Sequence, residues 1–193
     1  EVVDGKGGWR KGNISGITDS SVQVEIEDAQ QLEVYRPRLI LGLGLIKKRD
    51  RLEFAVEKAV ELGASEIALF RSRHTIKENV RMDRLEMTVL SAMKQSLRAW
   101  LPKVSLYASL KKVLEAYSDS RPLIAHEKKE SRTGIDRLLK EEKSLLLLVG
   151  PEGGFSEEEI ELATGENGAE IISLGSYRLR AETAAVTFLS QFV

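Results

Sequence analysis

Residues 145–160 read Leu145-Leu-Leu-Leu-Val-Gly150-Pro-Glu-Gly-Gly-Phe-Ser156-Glu-Glu-Glu-Ile160. The uncharged aliphatic run predicts a short strand buried on both faces, the kind found inside a parallel sheet. A glycine-rich turn follows. Ser156 and Glu159 then make the S-x-x-E pattern of a capping box, so a helix starts there. Strand, turn and helix are the unit of an open α/β sheet, which binds ligands at the carboxyl ends of its strands. Gly150, Gly153 and Gly154 would let backbone approach such a ligand. The turn is no Walker loop, because Phe155 and Ser156 stand where glycine and lysine are needed. From Pro151 to Glu170 the chain carries seven acids and no base, which suits a neutral or cationic ligand and opposes a polyphosphate. By local pattern alone, a tight strand-to-helix turn without a ligand fits as well.

The same alternation extends outward on both sides. Further apolar strands are predicted at Leu39–Ile46, Glu66–Phe70, Leu123–His126 and Glu170–Leu174. Helical patterns lie at Asp50–Leu62, Met82–Arg98, Leu110–Tyr117, Gly134–Glu142, Ser156–Ala163 and from Ala181 to the end. In the first, Leu52, Ala55, Val56, Ala59, Val60 and Leu62 form the stripe, and Gly63 sits where a terminating glycine belongs. The expected class is α/β, an open and mostly parallel sheet with helices on both faces. Before Pro37 the pattern differs: Glu1-Val-Val, Trp9–Ile17 and Val22–Ile26 read as short strands around turns, followed by a polar bridge from Glu27 to Gln31. Three strands bury little by themselves. A small β domain is expected, truncated on its N-terminal side.

The 193 residues suit one large domain, or a medium one with a small companion. With 42% hydrophobic and 31% charged residues the composition is that of a globular protein. A net charge of −1 excludes a uniformly basic nucleic-acid binder. The absence of cysteine excludes disulfides, thiolate metal sites and cysteine nucleophiles, and two histidines make a histidine zinc site a poor fit. No metal is expected. The longest apolar run, Leu39–Ile46, is far short of the roughly 20 residues of a membrane span, and no signal-peptide pattern opens the chain. A soluble, cytoplasmic protein is expected.

Charge is unevenly spread. From Arg71 to Lys103 eight Lys and Arg stand against three acids, an excess of +5 in a chain of −1. This reads either as a polyanion-facing surface or as a solvated helix face. Gln95, Arg98 and Trp100 add planar groups able to hydrogen-bond or stack on bases. A second glycine turn, Leu174-Gly175-Ser-Tyr-Arg178-Leu-Arg180-Ala-Glu182-Thr-Ala, leads into the last helix. Taken alone it is a helix entry with a surface ion pair. Gly42-Leu-Gly44 is no dinucleotide fingerprint, because Lys47 replaces the third glycine. His74 and His126 lack metal-ligand spacing and read as structural or substrate-side groups.

Together, Gly150-Pro-Glu-Gly-Gly-Phe-Ser156, Leu174-Gly175 and Leu179-Arg180-x-Glu182-Thr183-Ala184 resemble the cofactor signature of the bacterial 16S ribosomal RNA uridine-N3 methyltransferases (RsmE family), members of the SPOUT superfamily. Lys58-Ala-Val-Glu61-Leu-Gly63 is similar to that family's first-helix motif, and Gln95-Ser-x-Arg98 with Pro102 to its central one. Lys94 stands where the family has glutamate, and Leu97 where it commonly has glycine. Tyr177 and Arg178 replace a basic and an aliphatic residue. The resemblance implies a SPOUT methyltransferase domain over residues 38–193 with a C-terminal trefoil knot, and a partial PUA-like, RNA-binding β-barrel domain over 1–31. It implies S-adenosylmethionine (SAM) as cofactor and a homodimer built through the knot domain. It implies cofactor binding by Val149, Gly150, Glu152, Gly153, Gly154, Leu174, Gly175, Leu179, Arg180, Glu182, Thr183 and Ala184.

The substrate so implied is 16S ribosomal RNA or the small ribosomal subunit. Another RNA, such as tRNA or large-subunit rRNA, and a non-catalytic RNA-binding relative are the alternatives. Uracil N3 must lose its proton to attack, and a guanidinium can stabilise the resulting anion. Arg180 and Arg98 are the candidates, with Arg178 behind them. Glu182 is a possible base, but is better placed to orient Arg180. Arg71, Arg73, Arg84, Gln95 and Arg98 are the expected RNA contacts.

Overall fold

The computed structural model describes residues 1–33, 37–75, 79–127 and 135–193. The first strands, β1 (Val2–Val3), β2 (Gly8–Ile17) and β3 (Val22–Gln31), form an antiparallel meander. The polar residues read as a bridge, Glu27–Gln31, are the second half of β3. A ribbon open to solvent on both faces is held by its backbone ladder and needs no apolar alternation.

The rest is one sheet in which every neighbouring pair runs parallel. It comprises β4 (Arg38–Gly44), β5 (Glu66–Phe70), β6 (Lys103–Tyr107), β7 (Arg121–Ala125), β8 (Ser144–Val149) and β9 (Glu170–Ile172), in the order β6-β5-β4-β8-β7-β9. β8 is thus inserted between β4 and β7. Alternation along the central strands feeds two cores. Leu39, Leu41 and Leu43 face one side with α1 (Arg49–Glu61), α2 (Met82–Gln95) and α6 (Ala181–Leu189). Ile40, Leu146 and Leu148 face the other side with α3 (Leu110–Ala116). Two further helices are α4 (Ile135–Glu141) and α5 (Glu157–Glu161), the latter running into a π turn over Leu162–Glu166. Gly134, the expected start of α4, lies outside the described residues.

β6 has no counterpart among the expected strands. Lys103-Val-Ser-Leu-Tyr occupies the sheet edge half-buried, so it lacks the continuous apolar run that marks the inner strands. α2 stops at Gln95 instead of Arg98. Leu97, at φ +56°, takes the left-handed conformation that terminates the helix.

The N-terminal meander is joined to the sheet domain by backbone hydrogen bonds. Gly7 donates to the Ala99 carbonyl at 3.0 Å, and Leu101 donates to Gly5 at 2.9 Å. Trp100 belongs to this joint. A Cβ on Gly7 would stand 2.5 Å from its ring, so that ring face is packed on backbone and does not project toward a base. Among the described residues, no helix is long and apolar enough to cross a membrane, and no cluster of ligand-type side chains could hold a metal.

Candidate functional site

β8, β7 and β9 are neighbours, and the loops leaving their carboxyl ends enclose a cavity of ≈ 450 Å³. Its walls are Val149–Phe155 after β8, Ala125–Glu127 after β7, and Leu174, Gly175 and Tyr177–Ala181 after β9, closed by Ala184 of α6. This is the volume and the place at which open α/β sheets hold small ligands.

The glycine turn after β8 is fixed from several sides. Gly154 sits at φ +71° and donates its amide to the Pro151 carbonyl at 2.8 Å. Phe155 stacks on Phe70, with ring centroids 6.2 Å apart. Ser156 and Glu159 form the expected capping box. The Glu159 carboxylate does more than cap: it also accepts from the Ser72 hydroxyl at 2.9 Å and the Arg73 amide at 3.2 Å. Glu152 accepts the Lys47 amide through both oxygens, at 3.0 and 3.2 Å.

His74, read from the sequence as a structural or substrate-side group, is part of this frame. Its Nδ1 lies 3.2 Å from the Gly154 carbonyl, and a carbonyl can only accept, so Nδ1 carries the proton. A Cβ on Gly153 would stand 2.8 Å from the His74 Cβ. Gly153 is therefore required by its protein neighbour. The histidines differ in this respect, since His126 lines the cavity itself. Neither could be found from spacing, because each depends on which strand ends become neighbours.

Of the residues expected to hold a cofactor, all but Glu182 and Thr183 line the cavity. Glu182, 7% exposed, turns toward α1 and pairs with Arg51 at 3.4 Å, leaving its second oxygen buried without a hydrogen bond. Thr183 faces solvent. The three candidate arginines separate clearly. Arg178 pairs with Glu127 at 3.5 Å. Arg180 lines the cavity, with no carboxylate at ion-pair distance among the described residues. Arg98 is not at the cavity: it donates to the carbonyls of Val60, Ala64 and Gly63 at 2.7, 2.9 and 3.3 Å. It clamps the carboxyl end of α1, and burial pulls its guanidinium below the usual arginine range.

The basic segment is also less open than its charge count suggests. Arg73 pairs with Glu158, and Arg81 pairs with Asp83, holding that carboxyl down at about 2. Lys77 lies outside the described residues. Arg71, Arg84 and Gln95 are exposed, and Gln95 borders a groove with Glu57 and Glu61, both of which pair with Lys58.

A family model described as RNA methyltransferase domain matches residues 34–193. The Ribosomal RNA small subunit methyltransferase E of Rickettsia conorii is 30% identical over 192 residues, covering 98% of this chain and 78% of that one. Its namesake from Mesomycoplasma hyopneumoniae is 32% identical over 162 residues, covering 81% and 69%. The crystal structure of a Ribosomal RNA small subunit methyltransferase E from Neisseria gonorrhoeae bound to S-adenosyl methionine aligns with a TM-score of 0.84 and 28% identity, over 97% of this chain and 78% of that one.

Proposed function

Since the chain belongs to the RNA methyltransferase domain family, we propose that it transfers a methyl group from SAM to N3 of a uridine in 16S ribosomal RNA. The observation that carries this reading is the cavity at the ends of β8, β7 and β9, walled by the glycine turns and open to solvent beside Arg180. The donor set fits SAM. Backbone of the 150–154 turn lines the cavity, Leu174, Leu179 and Ala184 offer apolar contact, and the Glu152 carboxylate, held by the Lys47 backbone amide, offers its charge to a cation. SAM supplies an electrophilic methyl group on a sulfonium.

The chain's own part is to bring a base to that group and stabilise it. N3 lies on the Watson–Crick edge, so the uridine must be unpaired or flipped. Tyr177, 87% exposed on the cavity rim, offers a ring face on which a base stacks. Arg180 is the guanidinium left to stabilise the N3 anion. Glu182 acts from behind, through its ion pair with Arg51 at the start of α6.

The same reading takes the C-terminal path for a trefoil knot. After β9 at the sheet edge, the chain crosses the ends of β7 and β8, and α6 docks on α1, β4 and β8. The N-terminal meander is read as part of a PUA-like barrel. A homodimer is read from exposed Phe54, Met87 and Leu90 on α1 and α2, since most apolar groups of α6 are already buried within the chain. Sedimentation at micromolar concentration tests the dimer. The reaction is tested by incubating the protein with labelled SAM and either small subunits or naked 16S RNA, then mapping the modified base. A methyl group at uridine N3 supports the reading. Transfer to another RNA or another atom replaces it, and no transfer to any RNA overturns it.

A further inference from the structure

The end of the β4–α1 turn and the first residues of α1, Lys47-Lys48-Arg49-Asp50-Arg51, pack four cations into five residues. Sheet order puts them beside the cavity, because β4 neighbours β8. Glu152, which lines the cavity, grips the Lys47 backbone amide through both oxygens and so ties the turn to the glycine loop. That contact uses backbone and leaves the Lys47 ammonium clear of it.

The four cations are not equivalent. Arg51 faces Glu182 at 3.4 Å, and Arg49 faces Glu53 at 3.5 Å. Lys47 and Lys48 are exposed, and among the described residues neither has a carboxylate at ion-pair distance. Lys48 is also the N-cap of the 13-residue α1 and offers no side-chain cap, so the amides of that first turn and the helix dipole add to the positive potential. By contrast, the 71–103 segment has lost Arg73 and Arg81 to acids and Arg98 to carbonyls.

We propose that the β4–α1 turn, through Lys47 and Lys48, holds the RNA phosphates next to the nucleotide whose base enters the cavity; this rests on the methyl transfer to RNA argued above. The cavity walls set Glu127 and Glu152 against Arg178 and Arg180, with Glu127 and Arg178 paired, and so offer a phosphate no net attraction. The strand backbone is therefore held outside, at the rim where unpaired ammonium groups stand beside the glycine loop. Two ammonium groups on a short, backbone-anchored turn match adjacent phosphates of a single strand.

The test uses the whole chain with a fluorescently labelled single-stranded RNA of 16S sequence, titrated by anisotropy across a salt series. Lys47→Gln with Lys48→Gln should weaken binding about tenfold at low salt and flatten the log–log salt slope by about 1.4, from about 0.7 per phosphate contact. Arg71→Gln with Arg84→Gln should change binding less than about threefold by the same measure. SAM affinity by calorimetry should stay unchanged in the lysine variant, and Lys47→Arg with Lys48→Arg should keep the wild-type slope. An unchanged slope in the glutamine variant of a chain that binds RNA overturns this assignment alone. Failure of the wild-type chain to bind any RNA overturns the methyltransferase reading with it.

Discussion

The carboxyl end of α1 and the entry to α6 each meet an arginine from a family-like motif, and the two arginines do opposite things. At the end of α1, Arg98 takes three carbonyls, that of Val60 in the last turn and those of Gly63 and Ala64 in the segment that follows. At the entry to α6, Arg180 follows a glycine turn, makes no side-chain hydrogen bond or ion pair among the described residues, and lines the cavity. The difference lies in what the backbone sets beside each guanidinium. Carbonyls gathered at and just past a helix end consume the donors of Arg98, whereas Arg180 keeps its donors for a ligand.

Exchanging the two arginines for alanine puts that contrast at greatest risk. Arg180→Ala should lower single-turnover methyl transfer at saturating RNA and SAM by about 10²–10³, as removal of one charge-stabilising donor does, and leave the urea midpoint alone. Arg98→Ala should show the reverse pattern, losing about 2–3 kcal/mol in urea unfolding while each folded molecule turns over normally. A rate loss without a stability loss at Arg98 would erase the distinction. The His74 contact sharpens it from the cavity side. His74→Ala should weaken SAM binding about fivefold in calorimetry by freeing the Gly154 carbonyl, and His74→Asn, which keeps a donor near Nδ1, should recover most of it. The smallest effect concerns the other end of the clamp. Leu97→Gly should raise stability by about 0.5–1 kcal/mol, because relief of the left-handed strain exceeds the extra chain entropy of glycine; thermal unfolding measures it.

What the sequence made legible follows burial. β4, β5 and β8 are buried on both faces, so their aliphatic runs announce them, and the Ser156 capping box marks the start of α5 to the residue. β6 escaped because an edge strand covered on one face can be written Lys-Val-Ser-Leu-Tyr. The cavity walls were legible from glycines at strand ends. Side-chain destinations were not. Glu182 and Arg98 depend on α1 and the segment just past it, which are remote in sequence, and nothing in their own motifs specifies an ion pair with Arg51 or the carbonyls of Val60, Gly63 and Ala64. The partner of His74 was hidden for the same reason: Gly154 is 80 residues away.

The seam between β4 and β8 has a consequence for biosynthesis. β5 and β6 follow β4 directly, so half the sheet can assemble once residue 107 has emerged. The other edge of β4 waits for β8, across a separation of 106 residues between Arg38 and Ser144. Until then Leu39, Leu41 and Leu43 border an unpaired strand edge, a template for the wrong chain. At about 5–20 residues per second, the ribosome takes roughly 2–8 s to deliver the missing strand. Over that interval the nascent chain is a half-built sheet with its centre exposed, and the yield of native protein depends on keeping that centre unoccupied until β8 arrives.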